Sequence, residues 1–460
     1  MLDWIFTPPR LAGAAALLCG YVALCAGVAW KVQRQKRAEL REQQALQGAA
    51  GADSILLIYA SQTGHAESLA RKTAQALHAG GCSVRLMPVQ QLQLQDLEQS
   101  RHSLWLLSTT GEGDAPDHAL PFVRKLLPRT ADLSAHQAVV LALGDRNYAQ
   151  FCAFGLRVQS WLKGQGAQVT PLSMHSFDAQ QWQNWQTQVE QLAQSLTGHN
   201  RVQWPGQPRF APWVLRRRTL VNPGSQGGAV CLLQWVPQAG ALAPWQAGDL
   251  VELTVPCDPD YPREYSIASI PEDGCLELLV RQSTRADGTP GLASGWLCSG
   301  MKEGDSLPLR VRAHSGFRQD ENAQRPMVLI GNGTGLAGLC SHIKQRVHNG
   351  RSDQWLLFGE RSPEQDAFLD EQLQHWLRSG QLARLDRAWS RDVDQPVYVQ
   401  RVLAQQAQEL QAWVARGAAI YVCGSQQGMA QGVDAVLREV LGSDEVDALM
   451  ASGRYRRDVY

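Results

Sequence analysis

Ser61-Gln62-Thr63-Gly64-His65 follows the apolar run SILLIYA and leads into an amphipathic stretch. A short hydroxyl-rich loop between strand and helix offers backbone N–H groups and hydroxyls to a phosphate. The same residue types also serve as a plain helix N-cap, and on this loop alone both readings stand. Two further loops end apolar runs in the same way. Thr109-Thr110-Gly111-Glu112-Gly113 has glycines that let backbone approach a planar ring, and Gly144-Asp145 leads through Tyr148 to Phe151, offering aromatic faces. Farther on, Arg263-Glu264-Tyr265-Ser266 sets a cation, an aromatic plate and a hydroxyl on one strand, with Arg263 and Tyr265 on the same side by two-residue alternation. Gly291 and Ser294 follow at the start of an expected helix. MVLIGNGTGLAG, carrying Gly333, Thr334 and Gly335, runs from an apolar strand into a helix, an arrangement that turns helix N-terminal amides toward a pyrophosphate.

These loops need elements to hold them. SILLIYA, SVRLMPV, SLWLLST, QAVVLALGD and AQVTPLS are near-continuous apolar runs separated by amphipathic stretches, which predicts an α/β unit over residues 54–197: a doubly wound parallel sheet binding ligands at the carboxyl ends of its strands. Residues 198–209 read as a linker. From 210 to 324 the pattern changes to short alternating segments broken by Pro and Gly, such as DLVELTV and CLELLVR, which predicts an antiparallel β-barrel. Residues 325–460 return to alternating strand and helix.

At 460 residues the chain is long enough for about three folded units. Lys plus Arg and Asp plus Glu are 43 each, so there is no net charge to attract nucleic acid, and none is expected as partner. Ten cysteines are scattered without a CxxC pair or a His cluster, so neither a zinc site nor a disulfide framework is indicated. That usage fits free thiols in a reducing compartment, Cys423 at a strand end among them.

Residues 11–30 are twenty uncharged residues between Arg10 and Lys31, behind a short tail of residues 1–10. At ~1.5 Å per residue they make a helix of about 30 Å, the thickness of a bilayer core. The basic flank Lys31, Arg34, Lys36, Arg37 and Arg41 places the remainder on the cytoplasmic side. The expectation is therefore a single-pass protein of the cell inner membrane with cytoplasmic catalytic domains and a charged stalk over 31–53. A cleaved signal peptide is the rival reading.

In order and spacing, the loops at 61–65, 109–113 and 144–151 closely resemble those of the diflavin reductase family, the NADPH-hemoprotein reductase and sulfite reductase flavoprotein type. GNGTGLAG resembles the family's glycine-rich nucleotide loop with Gly338 in place of Pro, and WLLFGERS, AWSRD, PVYVQ, AIYVCGS and the final RYRRDVY follow in the family's order. The resemblance covers 54–460. It implies a flavodoxin-like domain and a ferredoxin-NADP reductase-like module of FAD barrel and NADP-binding domain, with FMN, FAD and NADPH as cofactors. It assigns Ser61 to His65, Thr109 to Gly113, Gly144, Asp145, Tyr148 and Phe151 to FMN. Arg263, Tyr265, Ser266, Gly291 and Ser294 fall to FAD, and Gly333 to Gly335, Ser390, Arg391, Tyr398 and Gln400 to NADPH. Ser266, Cys423 and Asp458 surround the hydride-transfer position, and Tyr460 stacks on the FAD ring. There are departures: Thr110 stands where some members have a stacking Tyr, Pro396 replaces a Lys, Ser425 an Asp, and the helical connecting insert before Arg263 is missing. The implied activity passes electrons from NADPH through FAD and FMN to a hemoprotein or other iron-containing acceptor at the membrane. A ferric-siderophore or iron reductase is the alternative within enzymology, and a membrane flavoprotein redox sensor the alternative outside it.

Overall fold

The computed structural model describes residues 54–460 except 112, 147–148, 176–177, 200–201, 207–209 and 286. Three sheets organise them. The first is parallel, in the order β2-β1-β3-β4-β5, formed by Ile55–Ala60 (β1), Val84–Pro88 (β2), His102–Ser108 (β3), Gln137–Gly144 (β4) and Gln168–His175 (β5). Its inner strands are apolar throughout because helices cover both faces: Trp105 and Phe154 lie buried on one side, Leu104 and Trp185 on the other. Burying an aromatic side chain of this size contributes about 2–3 kcal/mol, and the Trp185 indole N–H is also satisfied by the Thr73 hydroxyl at 3.1 Å. The order reverses at β1, so the loops after β1 and β3 open into one crevice.

The helix Ala179–Thr197 ends at Gly198, whose φ of 74° makes the left-handed turn out of the helix. Residues expected to be a free linker then pack back on this helix. Trp204 sets its ring edge-on to Trp182 at 5.5 Å and donates to Glu190 at 2.8 Å.

The second sheet is antiparallel, β10-β7-β6-β11-β8-β9: Ala211–Leu220 (β6), Val230–Pro237 (β7), Leu250–Val255 (β8), Asp258–Ser266 (β9), Leu276–Arg281 (β10) and Ser306–Arg312 (β11). The third is parallel, β14-β13-β12-β15-β16: Met327–Asn332 (β12), Gln354–Glu360 (β13), Arg384–Trp389 (β14), Ala419–Gly424 (β15) and Tyr455–Val459 (β16). Here β12 is the reversal point, and the loops after β12 and β15 face each other.

The segment 11–30 lies outside the described residues. Among the described residues no helix is long and apolar enough to cross a membrane. The 19-residue helix Ala179–Thr197 is rich in glutamine and buries only Trp185, Val189 and Ala193.

Candidate functional site: three crevices that meet

The loop after β1 is held from inside and outside the first sheet. Gly64, at φ 80°, starts the helix His65–Ala79, and the Ser61 hydroxyl accepts from the Ala66 amide at 3.1 Å. His65 is half-buried at the helix start, and desolvation of its ring followed by the nearby Arg312 pushes its imidazole down to about 3, so the ring is neutral. The Gln62 side chain is engaged elsewhere, donating to Asp117 at 3.0 Å and to the Arg457 carbonyl at 3.1 Å. The carbonyl of Thr63 accepts from Arg312, and that of Gln62 lies 3.0 Å from the His314 ring. The loop is therefore clamped by the end of β11 and the segment that follows it.

In the loop after β3, the hydroxyls of Thr109 and Thr110 are buried without a protein partner, and Gly111 and Gly113 have φ of 49° and 108°. Orphaned hydroxyls beside glycines suit the polar edge of a flavin ring. A side chain at Gly144 would strike the Cys152 amide. Phe151 meets His175 at 6.3 Å, and His175 meets Tyr261 of β9 at 6.0 Å, so an aromatic line crosses from the first sheet to the barrel. Asp145 lies 3.8 Å from the His175 ring. Glu112 and Tyr148 lie outside the described residues.

On β9, Arg263 pairs with Asp258 at 2.6 Å and Tyr265 is half-buried against the barrel core. Gly291 abuts the Ser283 and Ser294 hydroxyls, and Ser294 accepts from the Ser283 amide at 3.0 Å. Ser266 donates to Asp458 at 2.8 Å, and the Cys423 thiol lies 3.6 Å from the same carboxylate oxygen. Burial first, and then Asp458, push the Cys423 thiol well up, so it stays protonated. Strands β9, β15 and β16 thus bring three side chains to one point. Gly338 adjoins it, because a Cβ there would lie 3.3 Å from the Cys423 sulfur and 3.2 Å from Phe317, close for even one carbon.

The loops after β12 and β15 border a cavity of about 630 Å³, lined among others by Gly333, Thr334, Ser390, Tyr398, Gln400 and Tyr460. Gly335 lies against the Cys423 carbonyl, where a side chain cannot fit. Arg391 is not among the lining residues: its amide pairs with the Arg361 carbonyl at 2.7 Å and its side chain is exposed, while Arg281 and Arg361 line the cavity instead. Tyr460 is a tied terminus. Its amide donates to Gly424, its carbonyl accepts from Gln426, and its hydroxyl is 2.9 Å from Thr334. Sequence reasoning passed over Arg281, Glu360, Asp117, Arg457 and Gln426, which are ordinary surface types until the fold pairs them.

Residues 57–191 match the flavodoxin family and residues 329–435 the oxidoreductase NAD-binding domain family. The chain is similar to the sulfite reductase [NADPH] flavoprotein alpha-component of Neisseria meningitidis, 27% identical over 95% of both chains, and to that of Shewanella sp. strain ANA-3, 26% identical over 90% of both. That of Vibrio vulnificus is 27% identical over 89% of this chain and 88% of its own. The first alignment spans 581 positions against a chain of 460 residues, so that relative carries segments this chain lacks.

A flavodoxin domain joined to a nucleotide-binding oxidoreductase module makes a flavin oxidoreductase, and its similarity to sulfite reductase flavoproteins supports the diflavin reductase class. Within that class the chain resembles the sulfite reductase flavoproteins, and its cofactors are FMN, FAD and NADPH.

The inner-membrane location expected from residues 11–30 is corrected: those residues are not described, the described helices are too polar or too short to span a membrane, and the matched relatives are sulfite reductase flavoprotein components. The membrane does not enter the functional reading.

Proposed function

We propose that this protein passes electrons from NADPH through FAD and FMN to a one-electron hemoprotein acceptor. The observation that carries the reading is the convergence of Ser266, Cys423 and Asp458 where the barrel meets the nucleotide-binding sheet, Asp458 standing on β16 beside Arg457, which grips the loop after β3. When bound, the two flavins supply the conversion of a two-electron hydride donor into one-electron delivery.

The residues divide the remaining work. Thr334, Ser390, Tyr398 and Gln400 orient the dinucleotide, with Arg361 supplying a cation near its 2′-phosphate where Pro396 offers none. Arg263, Tyr265, Gly291 and Ser294 hold FAD. Asp458 fixes the Ser266 hydroxyl, and burial together with Asp458 keeps the Cys423 proton on sulfur, so neither Ser266 nor Cys423 is a nucleophile here. Ser61, Gly64, Thr109, Thr110 and Gly144 hold FMN, and the line from half-buried Phe151 and His175 to exposed Tyr261 lies between the two flavin sides.

The test is anaerobic titration of the flavin-loaded protein with NADPH, followed by turnover with cytochrome c, sulfite reductase hemoprotein and ferric chelates. Rapid reduction of both flavins with preference for a haem acceptor is expected. Preference for ferric chelates would make it an iron reductase, and full flavin loading with negligible turnover would make it a sensor.

A further inference from the structure

Glu360 closes β13 and is the one acidic side chain among the described residues lining the nucleotide cavity. An acid is out of place in a cavity that must hold phosphates, and this one is nearly buried, its side chain 5% exposed. It is bound to Arg281, at the end of β10 in the barrel, and accepts from the Arg361 amide at 2.9 Å. The pair stands beside the glycine-rich loop: a Cβ on Gly333 would lie 3.5 Å from a Glu360 carboxylate oxygen and 3.9 Å from the Arg281 guanidinium. An anion cradled by that loop meets both charges at once.

Resting on the nucleotide reading of this cavity, we propose that Glu360 is a resident counter-ion, holding Arg281 until the dinucleotide's diphosphate displaces it, so that NADP+ is bound loosely enough to leave. Arg281 has the means to exchange partners. Its guanidinium carries more donors than one carboxylate uses, and it rests 5.7 Å from the Phe368 ring, a face that supports it in either pairing. Glu360 does not. Once Arg281 turns to the diphosphate, the carboxylate keeps the Arg361 amide and faces Asp366 and the new anion, with Arg361 the remaining nearby cation. Burial already raises its affinity for a proton, and the added negative charge raises it further. Binding therefore takes up a proton at Glu360, and this contribution to affinity falls as pH rises.

Calorimetry at pH 8, in buffers of different ionisation enthalpy, tests this on the flavin-loaded protein and on Glu360→Gln, which keeps the acceptor for the Arg361 amide. NADP+ is one probe, and 2′-AMP, which has the 2′-phosphate but no diphosphate, is the other. The expected result is NADP+ binding about tenfold tighter in Glu360→Gln, unchanged 2′-AMP binding, and proton uptake with NADP+ only in the unmodified protein, a measurement that needs no variant. Equal NADP+ affinity in the two proteins without proton uptake overturns the counter-ion role while leaving the cavity a nucleotide site. Absence of NADP+ binding to the unmodified protein overturns the cavity reading itself.

Discussion

Arg457 grips Asp117 through Nε at 2.7 Å and again through Nη2, tying the last strand of the nucleotide-binding sheet to the loop after β3 of the flavodoxin sheet. Gln62 completes the junction, its side chain accepting from the Asp117 amide at 2.9 Å and donating to the Arg457 carbonyl. The next residue on the strand is Asp458, which holds Ser266. Alternation along β16 turns these neighbours to opposite sides, so one strand serves both the docking of the flavodoxin sheet and the Ser266–Cys423–Asp458 cluster.

Asp117→Asn is expected to loosen this docking. Truncating one partner of a desolvated charge pair at an interface costs about 2–5 kcal/mol, and the low end applies because 19% of Arg457 and 17% of Asp117 remain exposed. Small-angle scattering should show a larger radius of gyration for the variant at low salt, and stopped-flow should show slower FAD-to-FMN transfer. The unmodified protein should approach that behaviour only at high salt, where the pair is screened. Identical scattering for the two proteins at every salt concentration would remove the pair's docking role.

Tyr460→Ala is expected to improve NADH use. The Tyr460 ring borders the nucleotide cavity and is held by Thr334, so an entering nicotinamide must displace it. An aromatic stack is worth about 0.5–1.5 kcal/mol, which corresponds to roughly three- to tenfold in kcat/KM. NADPH, anchored through its 2′-phosphate, should gain less. Unchanged kinetics with both nucleotides would withdraw Tyr460 from the site.

The contrast between what the sequence discloses and what it conceals has a physical basis. The loops at 61–65, 109–113 and 331–338 are legible because each concentrates its chemistry in adjacent residues at a strand end, where backbone conformation demands glycine and small hydroxyls. Asp117 with Arg457, and Arg281 with Glu360, are illegible because their partners stand on different sheets and their residue types are common on any surface. Arg391 shows the converse: the motif around it suggests phosphate binding, yet its side chain is exposed and is not among the residues bordering the cavity.

Acid should destabilise the fold earlier than carboxylate titration requires. His65 and His342 are both pushed down to about 3 by burial, His342 being packed against Phe317 at 5.0 Å and Tyr421 at 4.8 Å. Their folded-state values are depressed, so the unfolded chain takes up protons near pH 6.5 that the fold refuses until about pH 3. Stability is complete above pH 6.5 and falls as pH drops through that window, by about 1.4 kcal/mol per pH unit for each such histidine. Urea midpoints at pH 7 and pH 5 check this. His342→Gln should be less stable at pH 7 and yet lose less on acidification than the unmodified protein.

The segment after β15 runs between the cavity at Gly333 and the loop after β3. Gln427 and Gly428 line the nucleotide cavity, and Gly428, at φ 81°, bends the chain there. Gln426, one residue earlier, lays its amide against Gly111 of the FMN loop, in the space a side chain at Gly111 would fill. Gly111→Ala should therefore have two effects. Its φ of 49° strains any residue with a Cβ by about 1–2 kcal/mol, which weakens FMN retention. The new methyl group also pushes Gln426 toward the cavity, which should weaken NADP+ binding severalfold at a distance from the nucleotide. Trimming the obstacle separates the two effects. The double variant Gly111→Ala with Gln426→Ala should recover NADP+ affinity, while its FMN affinity stays reduced because the backbone strain remains. Calorimetry with NADP+ and fluorescence of released FMN measure the two quantities on the same samples. If Gly111→Ala leaves NADP+ affinity unchanged, or if the second substitution restores nothing, Gln426 is a passive neighbour and the nucleotide segment does not communicate with the FMN loop through it.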